Sequence, residues 1–187
     1  MFDDVEVLDF AGPFEVFSVT ALENGEKPFI VETISEKGNI INARNGLKVQ
    51  PDYSFDNMPR FDILIIPGGL GAREREIHNK KVIKWIANEM KNVQLMTSVC
   101  TGALLLAKAG LLKGKKGTTH WASLERLENE FPEVDVQRGV KFVDEGNIIT
   151  SGGISAGINM SFHIVKRLSG SKVAQETAER MEYDIVI

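Results

Sequence analysis

Cys100 is the one thiol of the sequence. It falls within Val93-Gln-Leu-Met-Thr-Ser-Val-Cys-Thr-Gly-Ala-Leu-Leu-Leu-Ala-Lys-Ala-Gly110. There an apolar run suited to a buried strand, Val93 to Thr97, gives way to strong helix formers, Ala103 to Ala109, closed by Gly110. The thiol therefore stands at a strand-to-helix bend, a nucleophile elbow. Ser98 and Gly102 flank it two positions away on either side, the spacing by which the G-x-S-x-G elbow of hydrolases lets backbone pass close to a strained nucleophile. Unpaired amides at a helix N-terminus and the positive end of its dipole favour thiolate over thiol. An acidic, easily oxidised nucleophile is the expectation at Cys100; an ordinary buried cysteine is the alternative.

Asp9 lies between Leu8 and Phe10 and just ahead of Gly12-Pro13. It is either a second chemical group or a cap for a helix starting near Pro13. Glu15, one turn further on, suits the surface or first-turn dipole compensation. Gly68 and Gly69 follow a buried apolar strand and precede Leu70-Gly71, which by itself marks a strand-to-loop turn. A phosphate-binding role is disfavoured, because no G-x-G-x-x-G fingerprint and no Walker lysine accompany them. Among the three histidines, His120 in Thr118-Thr-His-Trp121 can approach the thiol from another loop. His78 in a polar stretch and His163 on a mostly apolar helix face read as structural. No metal site is expected, since three histidines and one cysteine show no ligand spacing.

The elements that must position these groups alternate. Helices are expected over Pro13 to Leu22, Lys80 to Met90, Ala122 to Phe131, Ala156 to Leu168 and Val173 to Met181, besides the one after Cys100. Strands are expected over Phe29 to Ser35, Leu47 to Val49 after the Asn45-Gly46 turn, and Ile63 to Ile66. Val140 to Val143 and Ile148 to Thr150 form a hairpin across Asp144-Glu-Gly-Asn147. Strand and helix in alternation argue for a flavodoxin-like, three-layer α/β/α sandwich with a mostly parallel sheet.

The chain has 187 residues, 43% apolar and 26% charged, with a net charge of −4. That is near globular averages and suits a single domain over 1–187. No basic footprint marks a nucleic-acid partner, and Lys113, Lys115 and Lys116 read as a solvated loop. One cysteine forms no internal disulfide, no apolar stretch approaches a membrane span, and the acidic start lacks the basic region of a signal peptide, so the cytoplasm is the expected compartment.

Four separated motifs, LDFAGPFEVF at 8–17, IIPGGLG at 65–71, TSVCTGALLLAKAGLLKGKKGTTHW at 97–121 and TSGGISAGIN at 150–159, resemble the DJ-1/PfpI superfamily. They are most similar to its isocyanide hydratase branch and to the sensor domains of AraC-type regulators. The resemblance implies that Asp9 hydrogen-bonds the elbow cysteine. Two adjacent acids do not both ionise cheaply, so a thiolate at Cys100 would keep Asp9 protonated and able to give up a proton. It also implies that backbone N–H groups at Gly68, Gly69 and Thr101 face a developing negative charge. PfpI-type proteases carry a histidine directly after the elbow cysteine, where this chain has Thr101, so that Cys-His dyad is absent and the THW motif is taken as structural.

The implied reaction is hydration of an isocyanide to an N-substituted formamide through a Cys100 thioimidate, with no cofactor. Thr101 and Ser155 would form the polar side of the pocket, and Ile154 and Trp121 its apolar wall. A small-molecule sensing domain and glyoxalase- or deglycase-like chemistry on small aldehydes are the alternatives. A homodimer with pockets near the subunit boundary is a further implication. Finally, the superfamily opens with a central strand ahead of the segment matching Phe2-Asp-Asp-Val5, and Met1 stands where that strand would end. A first strand is therefore expected upstream.

Overall fold

The computed structural model describes residues 1–185. Ten short strands run in chain order: β1 (Ile34–Ser35), β2 (Ile41–Asn42), β3 (Lys48–Val49), β4 (Tyr53–Ser54), β5 (Ile63–Ile66), β6 (Leu95–Val99), β7 (Lys116–Gly117), β8 (Asp135–Val136), β9 (Phe142–Asp144) and β10 (Ile148–Ser151). Among them lie seven helices: α1 (Val7–Val19), α2 (Leu70–Glu74), α3 (Lys80–Glu89), α4 (Gly102–Lys108), α5 (Leu124–Glu130), α6 (Ala156–Ser169) and α7 (Ser171–Arg180).

The central sheet has the order β5-β6-β10-β9, parallel throughout except for β9. Its register puts Ile63 opposite Leu95, and Met96 opposite Ile148. Alternation along the strands divides the apolar side chains between two faces. Leu64, Ile66, Met96 and Ile148 pack with α3, α4 and α5 through Ile86, Leu104 and Leu127. Leu95, Val99 and Ile149 pack on the other face with α1, α6 and α7 through Val16, Phe162 and Ala174. The fold is thus the three-layer α/β/α sandwich with a mostly parallel sheet.

Three local readings change. The first helix begins at Val7, not near Pro13, so Pro13 lies inside it and Asp9 sits in its first turn rather than at its cap. The strand expected over Phe29 to Ser35 forms only at Ile34–Ser35, where β4 supplies a parallel partner. The preceding residues have no ladder to join, and Ile30 is 88% exposed. The strand before the thiol spans Leu95–Val99 and is buried throughout, two residues later than its hydrophobic run suggests, because β5 and β10 cover it through Val99 on one side or the other. The Asn45-Gly46 signal does close a hairpin, β2 with β3, and Asn45 takes φ +63 as such a turn demands.

Candidate active site

The polypeptide turns from β6 into α4 at Cys100, whose φ of +56 lies in the left-handed region that side chains rarely enter. Surrounding bonds hold the bend. The Cys100 amide donates to the carbonyls of Ser151 (3.2 Å), the last residue of the neighbouring strand β10, and Gly152 (3.1 Å), just beyond it. The Thr119 hydroxyl donates to the Cys100 carbonyl over 2.7 Å. Gly102 lets α4 start directly against β5, since a Cβ there would lie 2.1 Å from the Ile66 carbonyl oxygen.

Asp9 reaches the thiol from the opposite layer. The chain entering α1 is pinned to the loop after β5 by the Glu6 amide donating to Gly68 O (3.0 Å) and by an isolated bridge between Val5 and Gly69. The Asp9 side chain is completely buried. Its Oδ2 accepts the Gly68 amide at 2.9 Å, while Oδ1 is buried with no hydrogen-bond partner. Burial raises the carboxyl pKa to about 7 against the pull of the Gly68 amide; Glu6 adds to the rise, and the nearby Cys100 thiol and Ile154 amide oppose it.

The thiol does not behave as the bend alone suggests. Burial first, and the charge of Asp9 second, push Cys100 up to about 12, against the amides of Thr101 and Ile154 and the Thr101 hydroxyl. This runs against the expectation of an acidic thiol: Cys100 is 6% exposed, and desolvation outweighs the helix-terminal donors. The two groups titrate as a pair, with one negative charge carried between them once the first proton has left.

Gly68 and Gly69 sit beside the thiol, but their amides are committed elsewhere than to a developing charge. Gly68 donates to Asp9, and Gly69 donates to the Thr101 hydroxyl over 2.9 Å. The amides directed at sulfur come from Thr101 and Ile154. Ile154, read from sequence as an apolar wall, contributes its backbone as well: it has φ +56 and a side chain 38% exposed. Gly153 brings it there, because the edge of the His120 ring abuts Gly153, where a Cβ would fall 2.1 Å from the imidazole Cδ2. The Gly152-Gly153 pair was the available signal for that close approach.

His120 itself is held by Ala122, whose amide donates to Nδ1 over 3.2 Å, leaving Nε2 as the protonated nitrogen. Burial, then Arg73, lowers its pKa, so it is neutral at physiological pH. Trp121 is 78% exposed beside it, their rings 5.5 Å apart. Ser155 is exposed at the start of α6. His163 pairs with Asp144 at 2.7 Å, and His78 is exposed after α2.

A strained thiol at a strand-to-helix bend, facing a buried carboxyl from the first helix, is the arrangement that the family comparison matches. The DJ-1/PfpI family profile aligns with residues 1–167. The protein belongs to the DJ-1/PfpI family. Its curated relatives include the isonitrile hydratase of Pseudomonas putida, 31% identical over 98% of this chain and 76% of that protein. The HTH-type transcriptional regulator GbdR of Pseudomonas aeruginosa is 27% identical over 98% of this chain but only 49% of the regulator. The deglycase PfpI of Pyrococcus furiosus is 29% identical over 72% of this chain and 75% of the enzyme. Among solved structures, a ThiJ/PfpI family protein from Pseudomonas syringae superposes with TM-score 0.88 at 26% identity, covering 100% of this chain and 74% of that one. Drosophila melanogaster DJ-1beta shares the fold at TM-score 0.80 and 22% identity, covering 99% and 96%. The family thus includes hydratase and deglycase enzymes as well as regulators. Among the described residues no helix is long and apolar enough to cross a membrane.

Proposed function

We propose that this DJ-1/PfpI protein hydrates a small isocyanide to an N-substituted formamide. The observation that carries the reading is a buried Cys100 beside an Asp9 carboxyl whose pKa is raised to about 7 and whose Oδ1 is buried with no hydrogen-bond partner. A group poised near neutrality can both take and give a proton. As the Cys100 sulfur bonds the terminal isocyanide carbon, its proton passes to Asp9 and then to that carbon, giving a thioimidate. Water adds to the carbon–nitrogen double bond, the carbon–sulfur bond breaks, sulfur regains a proton and the formamide leaves. The Thr101 and Ile154 amides stabilise negative charge on sulfur, and Gly68 keeps the carboxyl in place. Thr101, standing where a protease of this family would carry histidine, leaves Asp9 as the proton carrier. The reaction consumes only water and needs no cofactor.

The 31% identity to isonitrile hydratase supports the same reading. Its test is a parallel screen of wild type and Cys100→Ser with isocyanides, methylglyoxal and peptide substrates. Formamide production by wild type alone is expected; turnover of methylglyoxal with no formamide would replace the hydratase reading by a deglycase-like one. A second reading, a ligand-sensing domain, is favoured by the match to GbdR along nearly the whole chain. Saturable binding of an isocyanide to wild type without product would select it.

A further inference from the structure

At the far end of α4 from the thiol, a groove of about 400 Å³ opens against α3. Its apolar lining is Ile77, 2% exposed, with the half-buried Ile83, Ala87 and Ala109. Its polar lining is Lys80, Lys84, Lys108 and His78, all exposed. Lys80, Ile83, Lys84 and Ala87 stand at i, i+3, i+4 and i+7 and so share one face of α3, while Val82 and Ile86 turn another face into the core. Nothing in the proposed hydration uses this surface.

The groove is cationic on an acidic protein. The chain carries 26 acidic residues against 22 lysines and arginines, yet among the described residues no acid lines the groove. Among the same residues, Lys80, Lys84 and Lys108 form no ion pair. Acids of the surrounding segments are engaged elsewhere. Glu36 pairs with Lys81 and accepts from Asn79, Glu76 also accepts from Asn79, and Glu133 takes Lys113, the next lysine after Lys108. Three unpaired ammonium groups beside an apolar floor create a local positive potential that attracts acidic surfaces.

We propose that this groove docks an acidic amphipathic helix of a partner protein. The lysines sit on flexible, exposed stems with no buried donor beside them to fix one small anion, so their charges suit an extended acidic surface. As an i,i+4 pair, Lys80 and Lys84 stand ~5–6 Å apart at Cβ, which matches acids four apart on a facing helix. Ala87 and Ala109 present no side chain beyond Cβ, so a helix can approach closely and set apolar residues against Ile77 and Ile83. With its ten residues, α3 is about 15 Å long and accommodates roughly three turns of an incoming helix. The occupant therefore carries Glu or Asp at positions four apart beside Leu- or Ile-type residues, with a further acid reaching Lys108 across the groove.

The probe is a lactam-bridged helical peptide of that pattern, about 14 residues or about four turns long. Two comparison peptides carry the same composition scrambled and the same pattern with lysine in place of each acid. Backbone amide shifts of the 187-residue chain locate binding, and titrations give Kd. The acidic amphipathic peptide is expected to shift residues 77–87 and 108–109 and to bind at least ~10-fold more tightly than either comparison. Lys84→Glu with Lys108→Glu should weaken it at least ~10-fold, whereas Lys48→Glu with Lys166→Glu, the same change in charge at exposed positions outside the groove, should alter Kd less than ~2-fold. If a variant misfolds, the peptide comparison decides by itself. Equal binding by the scrambled peptide, equal weakening in the two double variants, shifts confined to other surfaces, or no binding at millimolar peptide overturns the proposal. Octathymidylate binding the same residues more tightly than the peptide gives the groove to nucleic acid and overturns it too. Each outcome is independent of whether the chain hydrates isocyanides.

Discussion

The Gly68 amide donates to Oδ2 of Asp9 over 2.9 Å, leaving Oδ1 as the unpaired, buried oxygen of the carboxyl. One bond thus fixes which face of the carboxyl is occupied and which is available for a proton. It also links two segments 59 residues apart in sequence, so the loop after β5 sets the acid's position in the helix before it.

Asp9→Asn keeps the size of the side chain and removes its charge. Because the charge of Asp9 is the second largest cause raising the Cys100 pKa, the thiol should ionise at lower pH in this variant. Thiolate absorbance against pH measures it. Isocyanide turnover should nevertheless fall by at least ~10²-fold, since the transferable proton is gone. Faster turnover in the variant would show that thiolate population, not proton transfer, limits the rate.

Stability should fall as pH rises from about 4 to about 7. The folded state holds the Asp9 proton up to about 7, whereas an unfolded aspartate releases it near ~3.9, so the native chain binds more protons across that window. The full difference corresponds to at most about 4 kcal/mol. Urea midpoints measured across the window should decline in wild type and decline less in Asp9→Asn. Parallel curves would place the responsible proton elsewhere.

Gly102→Ala should destabilise the fold by about 2–3 kcal/mol, in the range of overpacked interiors. The added methyl meets a backbone oxygen at 2.1 Å, so α4 has to move with the elbow. Chemical denaturation gives the loss, and alkylation of Cys100 in the folded variant should be faster than in wild type as the sulfur is uncovered.

A homodimer is the expected assembly, with a twofold arrangement making the two thiol sites equivalent. The exposed apolar side chains Leu8, Phe14 and Ile154 suit a covered surface near the site. Sedimentation equilibrium at micromolar concentration should return twice the chain mass. A monomer with full isocyanide turnover would show that one chain completes the site.

How far the sequence could be read depended on whether an element carries its own signal. The elbow was legible because small residues and a change of periodicity lie next to the thiol. The hairpins, the Lys80 helix and α6 were legible for the same reason: Asn79 caps α3 by accepting from Lys81 and Val82. The first helix was misplaced because Pro13 was read as a first-turn residue, whereas it lies inside α1, where it forgoes the intrahelical bond to the Asp9 carbonyl. The strand at Phe29 failed for want of a neighbour, which no local pattern reports. In the site, Cys100 stood out by residue type and context, whereas Asp9 stayed open between a chemical group and a helix cap until the family resemblance implied its bond to the thiol. The amide of Ile154 and the hydroxyl of Thr119 act through backbone geometry assembled from distant segments, and the thiol's high pKa follows from burial that only the packed layers create.

Thr119 ties the carbonyl of Cys100 to the loop that also carries His120 and Trp121. The loop bearing His120 and Trp121 and the backbone of the nucleophile are thereby one mechanical part. A search for altered substrate choice that randomises this loop will disturb the nucleophile whenever position 119 loses its hydroxyl. Libraries that hold Thr119 constant and vary Trp121 should separate specificity from reactivity.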